Sequence, residues 1–217
     1  SRARGRRLAV PADPGPERSL DPEVGFVAVP PDPATAGRAV ADVLAAARAT
    51  GIGSFEIVAA ARDPETLEAL RALSLRARAL RYCPEVAPDD GSAWRDALKA
   101  ARGRRLVAVR PGAFEARFLT EALERLENDA DLVAGERGRR GSRDVRTRRE
   151  RIGQRIAARL ARGARLRDPL ASFAVRNDDR LQAELRALGP GRGALPRLLA
   201  RLRESGARIR EIGVDAG

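Results

Sequence analysis

Short apolar runs separated by amphipathic stretches constrain this chain more than any other feature. Residues 25–30 (GFVAVP), 55–60 (FEIVAA), 104–109 (RRLVAV) and 131–135 (DLVAG) are too short for packed helices and long enough for buried strands. Residues 77–82 read as a further strand. Between them lie helical patterns. Residues 34–50 put Val40, Val43, Leu44 and Ala47 on one face, with Gly51 as the C-cap. Residues 64–73 start with Pro64 in the first turn. Residues 93–102 and 115–128 follow, the latter aligning Phe118, Leu119, Ala122, Leu123 and Leu126. Strands alternating with helices predict βαβ units: an α/β domain with a mainly parallel sheet flanked by helices.

The second half is patterned differently. Residues 138–146 (GRRGSRDVR) read as a polar loop. Residues 147–162 read as a helix with Ile152, Ile156 and Leu160 on one stripe, closed by Gly163. A strand over 171–176, helices over 178–188 and 194–204, and a last strand over 207–214 complete the pattern. Residues 1–23 carry Pro11, Pro14, Pro16 and Pro22 amid charge and read as a disordered basic arm, so residues 24–217 form the single domain.

Composition excludes several chemistries. The 217 residues contain no histidine, so Ser-His and Cys-His pairs are ruled out. Cys83 is the one cysteine, which rules out an internal disulfide and a Cys-cluster metal site. A lone thiol fits a reducing compartment, hence a cytoplasmic protein. No run approaches the ~18 apolar residues of a transmembrane helix. The basic, Pro-rich start has no apolar run and is not read as a secretory signal.

Charge is concentrated rather than spread. The chain's formal net charge is +12, and all but Lys99 of its 42 basic residues are arginines. Residues 137–167 hold thirteen arginines against Asp144 and Glu150, while residues 1–7 hold four and no acid. The rest of the chain is close to neutral. Genome base composition explains arginine over lysine, but not the clustering. A field this local attracts phosphates, polyanions or an anionic membrane surface.

Five collinear strings carry a resemblance: 56–67 (EIVAAARDPETL), 91–109 (GSAWRDALKAARGRRLVAV), 131–137 (DLVAGER), 167–176 (RDPLASFAVR) and 206–214 (GARIREIGV). Over residues 25–215 the chain resembles the family 2 glycosyltransferases with a GT-A, Rossmann-like fold. Within them it is most similar to the branch that moves a sugar from a nucleotide donor to a polyprenyl (dolichyl) phosphate. The resemblance implies a nucleotide-sugar donor and a lipid-phosphate acceptor. It places Arg110, Asp63 and Arg137 on the donor and phosphate side. Arg148, Arg149, Arg151 and Ser172 fall on the acceptor phosphate, and Asp168 is an active-site carboxylate. Asp168 before Pro169 also reads as a turn cap, and the arginine run also reads as a solvated face.

The departures from that family concern its metal. Mg²⁺ and Mn²⁺ take carboxylate oxygens. Where the family has Asp-x-Asp after the strand matching 104–109, this chain has Arg110, Pro111 and Gly112. The paired acids after the second strand are replaced by Ala61 and Arg62, with Asp63 nearby. The Pro-x-x-Asn-Glu after the first strand has become Pro30-Pro31-Asp32-Pro33-Ala34. The family's metal site is therefore expected to be lost. Asp89-Asp90-Gly91-Ser92 spells an acid turn, but it precedes the glycine-rich helix and reads as a helix-capping loop.

Three readings stay open at this level. One is a divergent, inactive glycosyltransferase-like protein that keeps phosphate or membrane binding. The second is an active, metal-independent enzyme in which Arg110 clamps the diphosphate; Arg110 also reads as an ordinary surface arginine. The third is nucleic-acid binding by 137–167, which lacks a reader motif and aromatic stacking residues. The basic helix over 147–162 fits a peripheral position at the inner membrane face, and its stripe also fits packing onto the sheet.

Overall fold

The computed structural model describes residues 21–110, 116–137, 172–191 and 193–214. The first twenty residues of the predicted arm, the 138–146 loop, the 147–162 helix, and Arg148, Arg149, Arg151 and Asp168 lie outside the described residues.

The elements alternate as the apolar runs require. They are β1 (Val24–Ala28), α1 (Pro33–Ala49), β2 (Phe55–Ala59), α2 (Pro64–Ser74), β3 (Leu80–Tyr82), α3 (Asp90–Ala100) and β4 (Arg105–Val109). Then come α4 (Ala116–Asn128), β5 (Leu132–Arg137), β6 (Phe173–Arg176), α5 (Asp179–Ala187), α6 (Ala194–Glu204) and β7 (Ile209–Val214). The seven strands form one sheet in the order β3-β2-β1-β4-β6-β5-β7. Every strand is parallel except β6, which runs antiparallel to both β4 and β5.

Strand alternation divides the core into two layers. Phe26, Ile57, Val107 and Val133 point to one face and meet α1, α2 and α4. Val27, Val58, Leu106 and Phe173 point to the other and meet α3, α5 and α6. Helix α4 shows why the pattern was legible: the five apolar residues on its stripe are all buried. Each Leu or Phe buried there stabilises the fold by roughly 1.5–3 kcal/mol. Among the described residues, no helix is long and apolar enough to cross a membrane.

Helix starts follow one chemical rule. Asp32, Asp63, Asp89 and Asp178 are N-caps, each accepting a hydrogen bond from the backbone N–H three residues on. In α1 and α2 a proline follows the cap and takes the first helical position, where its missing N–H costs nothing. The Asp89 cap starts α3 at Asp90, three residues before the start expected from apolar periodicity. The capping loop read from the sequence is thus observed: Asp89 accepts from the Ser92 N–H and hydroxyl, both at 3.0 Å.

Helix α3 also ends earlier than its periodicity predicts, because Glu56 intervenes. Its carboxylate, only 7 % exposed on β2, accepts from the backbone N–H groups of Arg102 and Gly103 and from Arg81 at 2.8 Å. Those N–H groups therefore leave the helix, and the chain turns into β4. Gly103 is required there: a Cβ would lie 2.1 Å from the backbone nitrogen of Gly25.

Candidate functional site

In open α/β sheets the ligand crevice lies beyond the carboxyl ends of the strands, where the strand order reverses. Here the reversal falls between β1 and β4. From β1 the chain builds outward through β2 to β3, then returns by α3 to place β4 on the other side of β1. The residues leaving β1, β2 and β4 are Pro30-Pro31, Ala61-Arg62 and Arg110, so two arginines meet this crevice.

Arg110 is held from two sides. Its backbone N–H faces the Ser172 hydroxyl at 3.4 Å, which joins the end of β4 to the start of β6. Its guanidinium stands over the Trp94 ring, 5.5 Å from the centroid. Trp94 is only 2 % exposed, so the ring is a fixed platform, and such a contact contributes ~0.5–2 kcal/mol. The structure thus brings two of the residues singled out in the sequence, Arg110 and Ser172, side by side. Arg137 ends β5, paired in register with Val214, and Asp63 is the N-cap of α2 in the connection after β2.

The acids of this end are engaged in helix capping. Asp32 accepts from the Thr35 N–H at 2.7 Å, and this holds its carboxyl below its ordinary value. Asp63 uses both oxygens, accepting from the Thr66 N–H at 2.7 Å and its hydroxyl at 2.8 Å. Asp89 is bound to Ser92 in the same way. Asp90, the first residue of α3, faces Arg62 at 3.9 Å, with the two side chains 48 % and 34 % exposed. Arg62 also reaches the Pro31 carbonyl at 3.4 Å.

A divalent ion at a diphosphate needs several convergent oxygens. Among the described residues, no three His, Cys, Asp or Glu side chains are grouped to hold one. Among the described crevice residues the carboxylates cap helices or face an arginine, and the position following β4 carries a cation. These described residues do not by themselves offer a Mg²⁺ or Mn²⁺ ion convergent oxygens.

Cys83 follows β3 and is half-buried. Desolvation, aided by the Asp96 charge, pushes its thiol up to about 11, which disfavours the thiolate at neutral pH. A groove of about 440 Å³ on the outer face of α4, between Arg117 and Asp129, involves none of the crevice residues.

Three residues that the structure groups around Arg110 and the start of α3 carry no binding role in the sequence: Arg62, Asp90 and Trp94. In the sequence Arg62 reads only as a lost acid and Asp90 only as part of a capping loop. The signal available was position, since Arg62 and Arg110 each stand just beyond an apolar run.

No protein-family profile matches the chain, and no curated protein matches it. Solved structures do. A mannosyltransferase from Pyrobaculum calidifontis, in complex with GDP-Man and Mn²⁺, superposes with a TM-score of 0.62 at 14 % identity, covering 90 % of this chain. This chain spans only 56 % of that one. Glucosyl-3-phosphoglycerate synthase from Mycobacterium tuberculosis, with Mn²⁺, UDP and phosphoglyceric acid, gives 0.60 at 18 % identity, covering 88 % of this chain and 68 % of that one. A putative nucleotide-diphospho-sugar transferase from Desulfovibrio desulfuricans gives 0.53 at 12 % identity, covering 88 % and 80 %. The fold is that of GT-A nucleotide-diphospho-sugar transferases, with the mixed α/β sheet expected from the sequence.

Proposed function

We propose that this chain is a divergent glycosyltransferase-fold protein that receives the diphosphate of a nucleotide-sugar with arginine in place of a metal ion. The observation that carries the reading is Arg110. It follows the strand beside the point of strand-order reversal, and its guanidinium is set over a buried tryptophan. Arginine presents a planar fork that matches phosphate oxygens without an intervening cation. Sitting on an aromatic face orients that fork and lowers the cost of fixing the side chain.

The acceptor in this reading is a phosphate of the polyprenyl-phosphate kind. The basic segment from Arg137 through Arg148, Arg149 and Arg151 supplies the countercharge, and Asp168 is the remaining active-site carboxylate. The similar synthase holding both UDP and phosphoglyceric acid supports a nucleotide and a phosphorylated acceptor on one such chain. A peripheral position on an anionic membrane follows from the same basic segment.

Calorimetric titration with UDP-glucose and GDP-mannose, in EDTA and again with Mn²⁺, tests the donor half. The expected result is binding in EDTA that is lost in Arg110→Ala. Binding that appears only with Mn²⁺, or no binding under either condition, overturns it. Sedimentation with anionic liposomes tests the acceptor half: neutralising Arg148, Arg149 and Arg151 together should release the protein.

A further inference from the structure

We infer that Arg62 and Arg110 form a two-guanidinium site for a diphosphate, and that Asp90 is its built-in counter-ion, displaced when the ligand's phosphate arrives. The inference rests on the donor reading above and adds the second cation and its regulation.

Placement comes from the sheet. Strands β2 and β4 flank β1 on either side, so their ends lie roughly 10 Å apart at the usual strand spacing. Arg62 leaves the first and Arg110 the second. Both side chains lean on α3, one on Asp90 and the other on Trp94. Asp90 and Trp94 are one helical turn apart, a spacing that puts their Cβ atoms about 5–6 Å from each other. Two guanidinium groups are thereby gathered at the mouth of one crevice. A diphosphate offers two phosphoryl groups, so each arginine has a partner.

Asp90 has the position of a stand-in anion. It is the first residue of α3, where the helix end favours negative charge, and it is not the cap, because Asp89 fills that role. Its link to Arg62 is long, at 3.9 Å, and half open to water. The second anchor of Arg62, on the Pro31 carbonyl at 3.4 Å, crosses from the end of β2 to the loop after β1. In the absence of ligand, the Arg62 charge is therefore answered by a carboxylate. A phosphate competes for the same fork with more oxygens and more charge.

The test is calorimetry in EDTA at low salt, with inorganic pyrophosphate and inorganic phosphate as probes, on the full chain. Thermal melts serve as the folding control. Arg62→Ala should weaken pyrophosphate binding about tenfold or more, while phosphate binding falls less. Arg62→Lys, which keeps the charge and the chain length but not the fork, should recover part of the loss. Asp90→Asn should tighten pyrophosphate severalfold in the wild-type background and have no effect in Arg62→Ala. Equal tightening in both backgrounds would mean a general charge effect and would overturn the counter-ion. Loss in Arg110→Ala with no change in Arg62→Ala or Asp90→Asn would overturn the inference and leave the donor reading standing. If neither pyrophosphate nor any nucleotide-sugar binds the wild type, the donor reading falls first and takes this one with it.

Discussion

The two ends of the sheet use arginine in opposite ways. At the amino end of the parallel strands, arginines and acids are matched in tight pairs. Arg105 bridges Glu23 at 2.6 Å and Glu127 at 2.5 Å, and Arg81 reaches Glu56 at 2.8 Å. Asp131 gathers Arg208 and Arg180, and Arg210 holds Asp129 at 2.9 Å. At the carboxyl end the acids cap helices, Arg62 faces Asp90 at 3.9 Å, and Arg110 stands over an aromatic ring. Among the described residues, the same residue type thus ties elements together at one end and stands beyond the strand ends at the other. There most of the nearby described acids are engaged as helix caps.

Substitutions at the two ends should therefore fail in different assays. The largest effect is expected at Gly103, where a side chain would meet backbone rather than a movable group. Gly103→Ala should cost upwards of ~3 kcal/mol, read as a lower urea midpoint or no folded protein. A wild-type midpoint would show that the β1 and β4 starts are free to separate.

Glu56→Ala comes next. It strands two backbone N–H groups that the buried Glu56 carboxylate had satisfied and removes the partner of the solvent-exposed Arg81, at a cost of about 3 kcal/mol. A half-buried capping acid at the other end offers the contrast: Asp63→Ala removes one cap and should cost about 1 kcal/mol. If the two losses are equal, the distinction between the ends fails.

Asp131 sharpens the comparison through pH. Its bonds to Arg208 hold its carboxyl below the ordinary 3.8, so the folded chain favours the ionised form. That contribution is complete above about pH 4 and fades as pH falls through the lowered folded value. Asp131→Asn should thus destabilise by about 1–2 kcal/mol at pH 7, with the gap to wild type closing below pH 4. A constant gap from pH 7 to pH 2.5 would show that the charge is not what matters.

The smallest effect concerns Arg110 itself. Arg110→Ala should cost about 0.5–2 kcal/mol of stability, the worth of the ring contact, while abolishing nucleotide-sugar binding. A large loss of stability with binding retained would move Arg110 into the same class as Arg81 and Arg105.

Much of the fold was legible because burial is periodic. The runs at 55–60 and 104–109 became β2 and β4 within a residue or so, since a strand buried on both faces must be apolar throughout. The site was legible only in outline. Arg110 was visible because it follows such a run. Arg62 carries no such link to it in the sequence, because the two are 48 positions apart and only strand order puts their strands on either side of β1. The early end of α3 was missed for the same reason: its cause is Glu56, a residue of another strand.

The sequence alone determined the alternation of strand and helix, the capping loop at Asp89, the absence of histidine chemistry, and the cation that follows 104–109. These are local properties, set by side-chain type, backbone propensity and short-range hydrogen bonds. Only the tertiary structure decided that β1 lies between β2 and β4, that β6 runs against its neighbours, and that Arg62 meets Asp90 and Arg110 meets Trp94 on one helix. Those facts depend on contacts between distant segments, whose pairing is settled by burying both faces of the sheet at once.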